Sequence, residues 1–151
     1  MKRIICLALL AVMLVSVLPI NTYAVNIEEI GITYFEDGSY MTETIYTIQS
    51  RASGTITGSK EKNYYDESGS LDWKAVLTGT FGYTGSSAVC TASSCNVTIY
   101  DSAWYTISKS ATKSSNSAFA SVTMGYKVLG VTVNQVPVSI TLTCDKNGNL
   151  S

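Results

Sequence analysis

Leu71-Asp72-Trp73-Lys74-Ala75-Val76-Leu77-Thr78-Gly79-Thr80-Phe81-Gly82-Tyr83 decides the fold of this chain. Its odd positions hold Leu71, Trp73, Ala75, Leu77, Phe81 and Tyr83, and its even positions are mostly polar. Side chains alternate across a strand, so the stretch predicts a long antiparallel strand with one buried face and Asp72, Lys74, Thr78 and Thr80 turned outward. No other stretch puts so much apolar bulk on one face, and the core is expected to form against it.

Downstream, Ala118, Ala120, Val122, Met124, Tyr126 and Val128 share one phase, and Val136, Val138, Ile140, Leu142 and Cys144 another. Both runs predict half-buried strands. Pro137 cannot donate to a ladder and belongs at a strand start or an edge. Tyr40 to Gln49 alternates Thr with Ile and Tyr, continues weakly to Thr57 and predicts one or two strands. Thr84–Ser87 reads as a hairpin loop, followed by short strands at 88–92, 96–100 and 104–108. Gly130 reads as a bend, and Asn147-Gly148 as a closing turn.

Three segments are read with less pattern. Residues 25–34 are mixed, either a short strand or one helical turn at 26–30. Lys60–Gly69 is the most charged stretch and reads as a solvated connection or edge strand, with a binding loop as the alternative. Ser108–Ser117, rich in Ser, Lys and Thr, reads as an exposed loop. Many short strands without a sustained helical period predict an all-β antiparallel sandwich, immunoglobulin-like or jelly-roll-like, with a small barrel as the alternative.

The N-terminus reads as a secretory leader. Lys2 and Arg3 precede an apolar run from Ile4 to Leu18, Pro19 breaks it, and Thr22-Tyr23-Ala24 supplies small residues at both recognition positions. The run is shorter than the roughly 20 residues a spanning helix needs. The expected organisation is a signal peptide at 1–24 and one domain at 25–151, exported to the outside, with no membrane insertion of the mature chain. Residues 25–151 carry eight basic and eleven acidic side chains, and the lysines are scattered. A nucleic-acid partner needs concentrated positive charge and is not expected.

Cys90, Cys95 and Cys144 remain after cleavage. Export favours a disulfide, and the odd count leaves one thiol over. Cys90–Cys144 is the expected bond and Cys95 the free thiol. Closing that long loop would stabilise the fold by about 4 kcal/mol in the chain-entropy model. Cys90–Cys95 is the rival pairing.

The chain has no histidine. That excludes Ser-His-Asp and Cys-His nucleophile pairs and histidine-ligated metals, and three cysteines fall short of a structural zinc site. No cofactor, metal or catalytic residue is expected. A glycosidase needs only two carboxyl groups, but most of the acids present, Asp72 among them, fall in turns or on outward strand positions. Asp145, Asn147 and Asn149 alternate like a calcium loop, yet Gly148 comes too early and no later glutamate follows. Exposed aromatics are the remaining candidate, because secreted sandwiches can hold sugars on aromatic faces. Trp73 and Phe81 read as core, whereas Tyr65, Tyr100 and Tyr105 offer a sugar-binding surface.

The run Trp73–Thr91 (W-K-A-V-L-T-G-T-F-G-Y-T-G-S-S-A-V-C-T), then Trp104, then Ser139–Ser151 (S-I-T-L-T-C-D-K-N-G-N-L-S), resembles an uncharacterised family of small secreted all-β proteins of gut-type Gram-positive bacteria. Cys90 and Cys144 match that family's cysteine pair; Cys95 departs from it. The resemblance implies a secreted domain without an assigned activity. The expected function is therefore non-enzymatic binding of a cell-surface glycan or protein. A bacteriocin-like or toxin-like antagonist of neighbouring cells is the alternative, and a paired-carboxylate enzyme comes third.

Overall fold

A computed structural model describes residues 25–48 and 54–151. The leader expected at 1–24, and the part of the expected 40–57 strand run that covers 49–53, lie outside the described residues. Eight strands follow in order: β1 (Val25–Tyr34), β2 (Tyr40–Ile48), β3 (Thr55–Tyr65), β4 (Leu71–Tyr83), β5 (Ala88–Ile99), β6 (Trp104–Ser114), β7 (Ser117–Val128) and β8 (Val131–Thr143). They form two antiparallel sheets, β1-β2-β3-β4-β5 and β6-β7-β8. The sheets face each other as an open sandwich, not a closed barrel. Each is a meander with neighbours paired in chain order, so the likeness to immunoglobulin-like or jelly-roll sandwiches lies in the layers rather than the connections.

Strand β4 is the centre of the core, as its period predicts. Trp73, Ala75, Leu77 and Phe81 are fully buried, facing Ala118, Val122, Met124, Ile140 and Leu142 of the second sheet. The three-stranded sheet lies over β3, β4 and β5, while β1 meets only β2. All ten residues of β1 are consequently exposed. The mixed segment 25–34 is thus a strand throughout, held by its ladder to β2 rather than by burial.

Lys60–Gly69 is a connection only from Asp66 to Gly69, in the β3–β4 turn. Lys60–Tyr65 closes β3, which is an inner strand of its sheet and not the expected edge, because β2 and β4 pair with it on both sides. Lys60, Lys62 and Tyr64 lie on the inward face of β3, where the second sheet covers Tyr64 but leaves the lysines at its margin. Glu43 of β2 answers both, at 2.9 Å from Lys60 Nζ and 3.1 Å from Lys62 Nζ. Burial pushes the Glu43 carboxyl up, but the two lysines more than offset it and leave it below the usual glutamate range. Ser108–Ser117 is not a loop. It forms most of β6, the edge strand paired with β7, and only Ser115-Asn116 turns. The expected strands at 88–92 and 96–100 are a single strand, β5. Pro137 sits on β8, an edge strand as required.

The expected Cys90–Cys144 bond is not formed; Cys90, Cys95 and Cys144 are all free thiols. The Cys90 and Cys144 backbones are brought close, because their N–H groups donate to the adjacent carbonyls of Ser115 and Asn116. Each thiol, however, turns onto a carbonyl of its own segment, Cys90 Sγ to Ala92 O at 3.3 Å and Cys144 Sγ to Asp145 O at 3.4 Å. Burial pushes all three thiols up from the ordinary cysteine value. Since the thiolate is the reacting form, a disulfide-exchange reagent at pH about 7 is expected to label the native protein slowly and all three thiols quickly after unfolding. Rapid labelling of Cys90 in the native state would contradict this burial.

Candidate functional site

The turns at one end of the sandwich surround an open cavity of ≈410 Å³. Its floor is aromatic. Trp73 stacks on Tyr64 (centroids 5.1 Å apart, 4° between planes), Tyr64 meets Trp104 edge-on at 5.1 Å, and Trp104 meets Tyr126 at 5.2 Å. Adjacent aromatics on a strand part company, so Trp104 and Tyr64 go inward while Tyr105 and Tyr65 go outward. The walls are acidic: Asp37 from the β1–β2 turn, Asp66 and Glu67 from the β3–β4 turn, Asp72 from β4 and Asp101 from the β5–β6 turn.

Asp72 departs from its expected outward position. Tyr64 pairs with Trp73 and Tyr65 with Leu71, so Asp72 has no partner on β3 and forms a bulge. The extra residue lets Asp72 and Trp73 both turn inward, the re-aiming that bulges provide near sites. Asp72 is 7 % exposed and its Oδ2 accepts the Trp104 indole N–H at 2.9 Å. Its backbone carbonyl accepts from both Tyr100 N–H and Asp101 N–H, which fixes the β5–β6 turn. The carboxyl-to-indole bond thus ties the first sheet to the second at the cavity floor.

Burial raises the Asp72 carboxyl above the usual aspartate range; the Trp104 indole opposes this and the Asp101 and Asp66 charges add to it. Asp66 moves the other way, lowered first by the Ser68 hydroxyl and then by the backbone N–H of Ser70. Asp37 is likewise lowered, chiefly by Ser39, whose hydroxyl donates to it and accepts from Tyr64 Oη at 2.8 Å. Two turns lie close here: Gly38 adopts φ 84°, which favours glycine, and a Cβ on it would come 3.3 Å from Glu67 Cβ.

The raised Asp72 group carries a stability prediction. An unfolded aspartate titrates near pH 3.9, so the folded chain holds this proton more tightly. The contribution of Asp72 is complete below that value and is lost as pH rises through the folded-state pKa. Asp72→Asn keeps the shape and an acceptor for Trp104 but never ionises. Its denaturation midpoint is expected to pull ahead of wild type above about pH 4. A variant less stable than wild type at neutral pH would refute this.

Tyr65, Tyr100 and Tyr105 do not form one surface, and none lines the cavity. Tyr65 lies on the outer face of the first sheet, stacked on Tyr40 at 4.8 Å. Tyr100 is 53 % exposed beyond the end of β5. Tyr105 lies on the outer face of the second sheet, bonded to Thr132 at 2.6 Å and packed over Gly125. A sandwich separates faces that sequence adjacency does not. The missed site residues are Asp72, Trp104 and Tyr126 with the acidic turns; the Lys60–Gly69 alternative of a binding loop touches it through Asp66 and Glu67.

A second cavity, ≈490 Å³, opens at the opposite end between Tyr83, the β4–β5 turn, Lys146 and Asn147. It is built largely of turn backbone. Asp145, nearby, spends its carboxylate on Asn147 N–H and Asn149 N–H, so the calcium-like spacing is a terminal turn. Comparison with known protein families, curated proteins and solved structures gives no significant match to this chain.

Proposed function

We propose that the chain is an exported, non-enzymatic binding domain that holds a cell-surface component, glycan or protein, in the cavity at its acidic end. The observation that carries this reading is Asp72. A bulge turns it inward, Trp104 fixes it, and aromatic rings floor the space before it. Pockets that combine apolar rings with a few placed polar groups are the usual ligand sites of small domains. Export rests on the charged and apolar leader pattern at 1–24, and the absence of enzymatic chemistry on a sequence without histidine.

The test is binding of the protein to an array of cell-wall and host glycans and to surface-protein extracts, repeated with Asp72→Asn and Asp101→Asn. Binding weakened by these changes, in variants that remain folded and no less stable than wild type, supports the cavity. Binding that survives them but disappears in Tyr65→Ala or Tyr105→Ala would move the site to an outer face.

One observation favours a second reading. Asp72 raised and Asp66 lowered in a single pocket is the division that two-carboxylate glycoside hydrolysis uses. Turnover of a chromogenic glycoside, abolished in Asp72→Asn, would replace binding with catalysis.

A further inference from the structure

The charge of the cavity has one sign. Five carboxylates line it, and among the described residues no lysine or arginine does. The nearby lysines are committed elsewhere: Lys127 Nζ lies 3.9 Å over the Tyr105 ring on the outer face of the second sheet. Lys74 reaches Glu61 at 3.8 Å on the outer face of the first. Asp72 adds a directional group. It is 7 % exposed, Trp104 holds its Oδ2, and Oδ1, which no donor among the described residues reaches, stays accessible from the pocket. Trp104, Tyr126 and Tyr64 line the same pocket, and aromatic rings attract cations. Among the described residues, no three acidic or cysteine side chains are grouped to hold a metal ion. Spread carboxylates over aromatic faces suit an organic cation instead.

The rim indicates what carries that cation. Tyr126 and Asn134 line the cavity and pair across β7 and β8. The hairpin runs on beyond them to an apolar tip, where Leu129 is fully exposed and Val131 and Val133 are more than half exposed. Apolar surface beside an anionic pocket fits a polypeptide better than a sugar. Resting on the reading of this cavity as the binding site, we infer that it takes the ammonium or guanidinium group of a lysine or arginine on a basic polypeptide, whose apolar residues lie along the β7–β8 tip.

The test is titration of the purified protein with oligolysine, oligoarginine, a glucosamine oligomer and oligoglutamate, followed by tryptophan emission. Saturable binding of a basic peptide is expected. Asp72→Asn should weaken it about tenfold, and Glu67→Gln, on an exposed turn, by less. Raising salt from about 50 mM to about 500 mM should weaken it further. Leu129→Ser should weaken peptide binding without altering the unfolding curve. Peptide binding indifferent to Asp72→Asn and Glu67→Gln overturns the inference. So does binding of the glucosamine oligomer with none of the peptides, which would put the cation on a sugar. A neutral glycan held in the cavity, with no response to any cation, overturns the inference and leaves the binding reading intact. No ligand responding to any cavity variant removes both.

Discussion

Trp73→Ala is expected to destabilise the fold by about 3–5 kcal/mol, the usual range for a large aromatic removed from a core. Single domains of this size are stable by only about 5–15 kcal/mol, so the variant should lose a large share of its folding free energy. Trp73 is fully buried on β4, stacks on Tyr64 and meets Trp104 at 5.9 Å and 61°. Its removal leaves a void under two rings that also line the cavity, so ligand binding should fall with stability. Trp73→Phe separates packing from polarity. The Trp73 indole N–H is buried with no partner among the described residues, and Phe removes that unpaired donor while keeping a ring. Phe should therefore cost far less than Ala. Urea unfolding followed by circular dichroism decides the matter, and equal losses in the two variants would mean that Trp73 acts through something other than ring packing.

Gly79→Ala is the second large effect, expected at about 1–3 kcal/mol, the cost of overfilling a packed core. The reason is space, not backbone freedom. A Cβ at Gly79 would stand 2.6 Å from Phe81 Cζ, 2.7 Å from Phe81 Cε2 and 3.2 Å from Ala118 Cβ. Phe81 is fully buried and folds back over the glycine, so it cannot yield without opening the contact between the sheets. Gly31→Ala is the control, because nothing lies within 4 Å of a Cβ built there. It should change stability by less than about 0.5 kcal/mol, the range of ordinary surface changes. Comparable losses at both positions would point to strand propensity rather than to the Phe81 contact.

The strands that pack directly across the sandwich were legible in the sequence. On β4, β7 and β8 one face meets the core and the other meets water, so composition alternates with the pleat. Where a strand is held by its ladder alone, that signal vanishes. Strand β6 carries Ser, Lys and Thr over Ser108–Ser114 and pairs with β7 regardless, since backbone bonding does not require buried side chains. The inward lysines of β3 hid that strand for a related reason: the second sheet does not extend over them, and Glu43 satisfies them from β2. The cavity was the least legible part. Asp37, Asp66, Asp72 and Asp101 come from four places in the chain, and only the topology gathers them. The parity rule then hides Asp72, because one bulge inverts the face a residue takes.

The gathering of acids at one end also makes the molecule electrically polar. Glu36, Asp37, Asp66, Glu67, Asp72 and Asp101 outnumber Lys127 at the cavity end of strands up to 13 residues long, while Lys113 and Lys146 stand with Asp145 at the other. Such a separation of charge among the described residues is a dipole along the strands, and an external field exerts a torque on it. Close to an anionic wall, within about one Debye length (roughly 8 Å at physiological salt), the domain would turn its lysine-bearing end to the polymer and its cavity to the medium. A cationic partner arriving from the medium would then meet the open mouth of the cavity first.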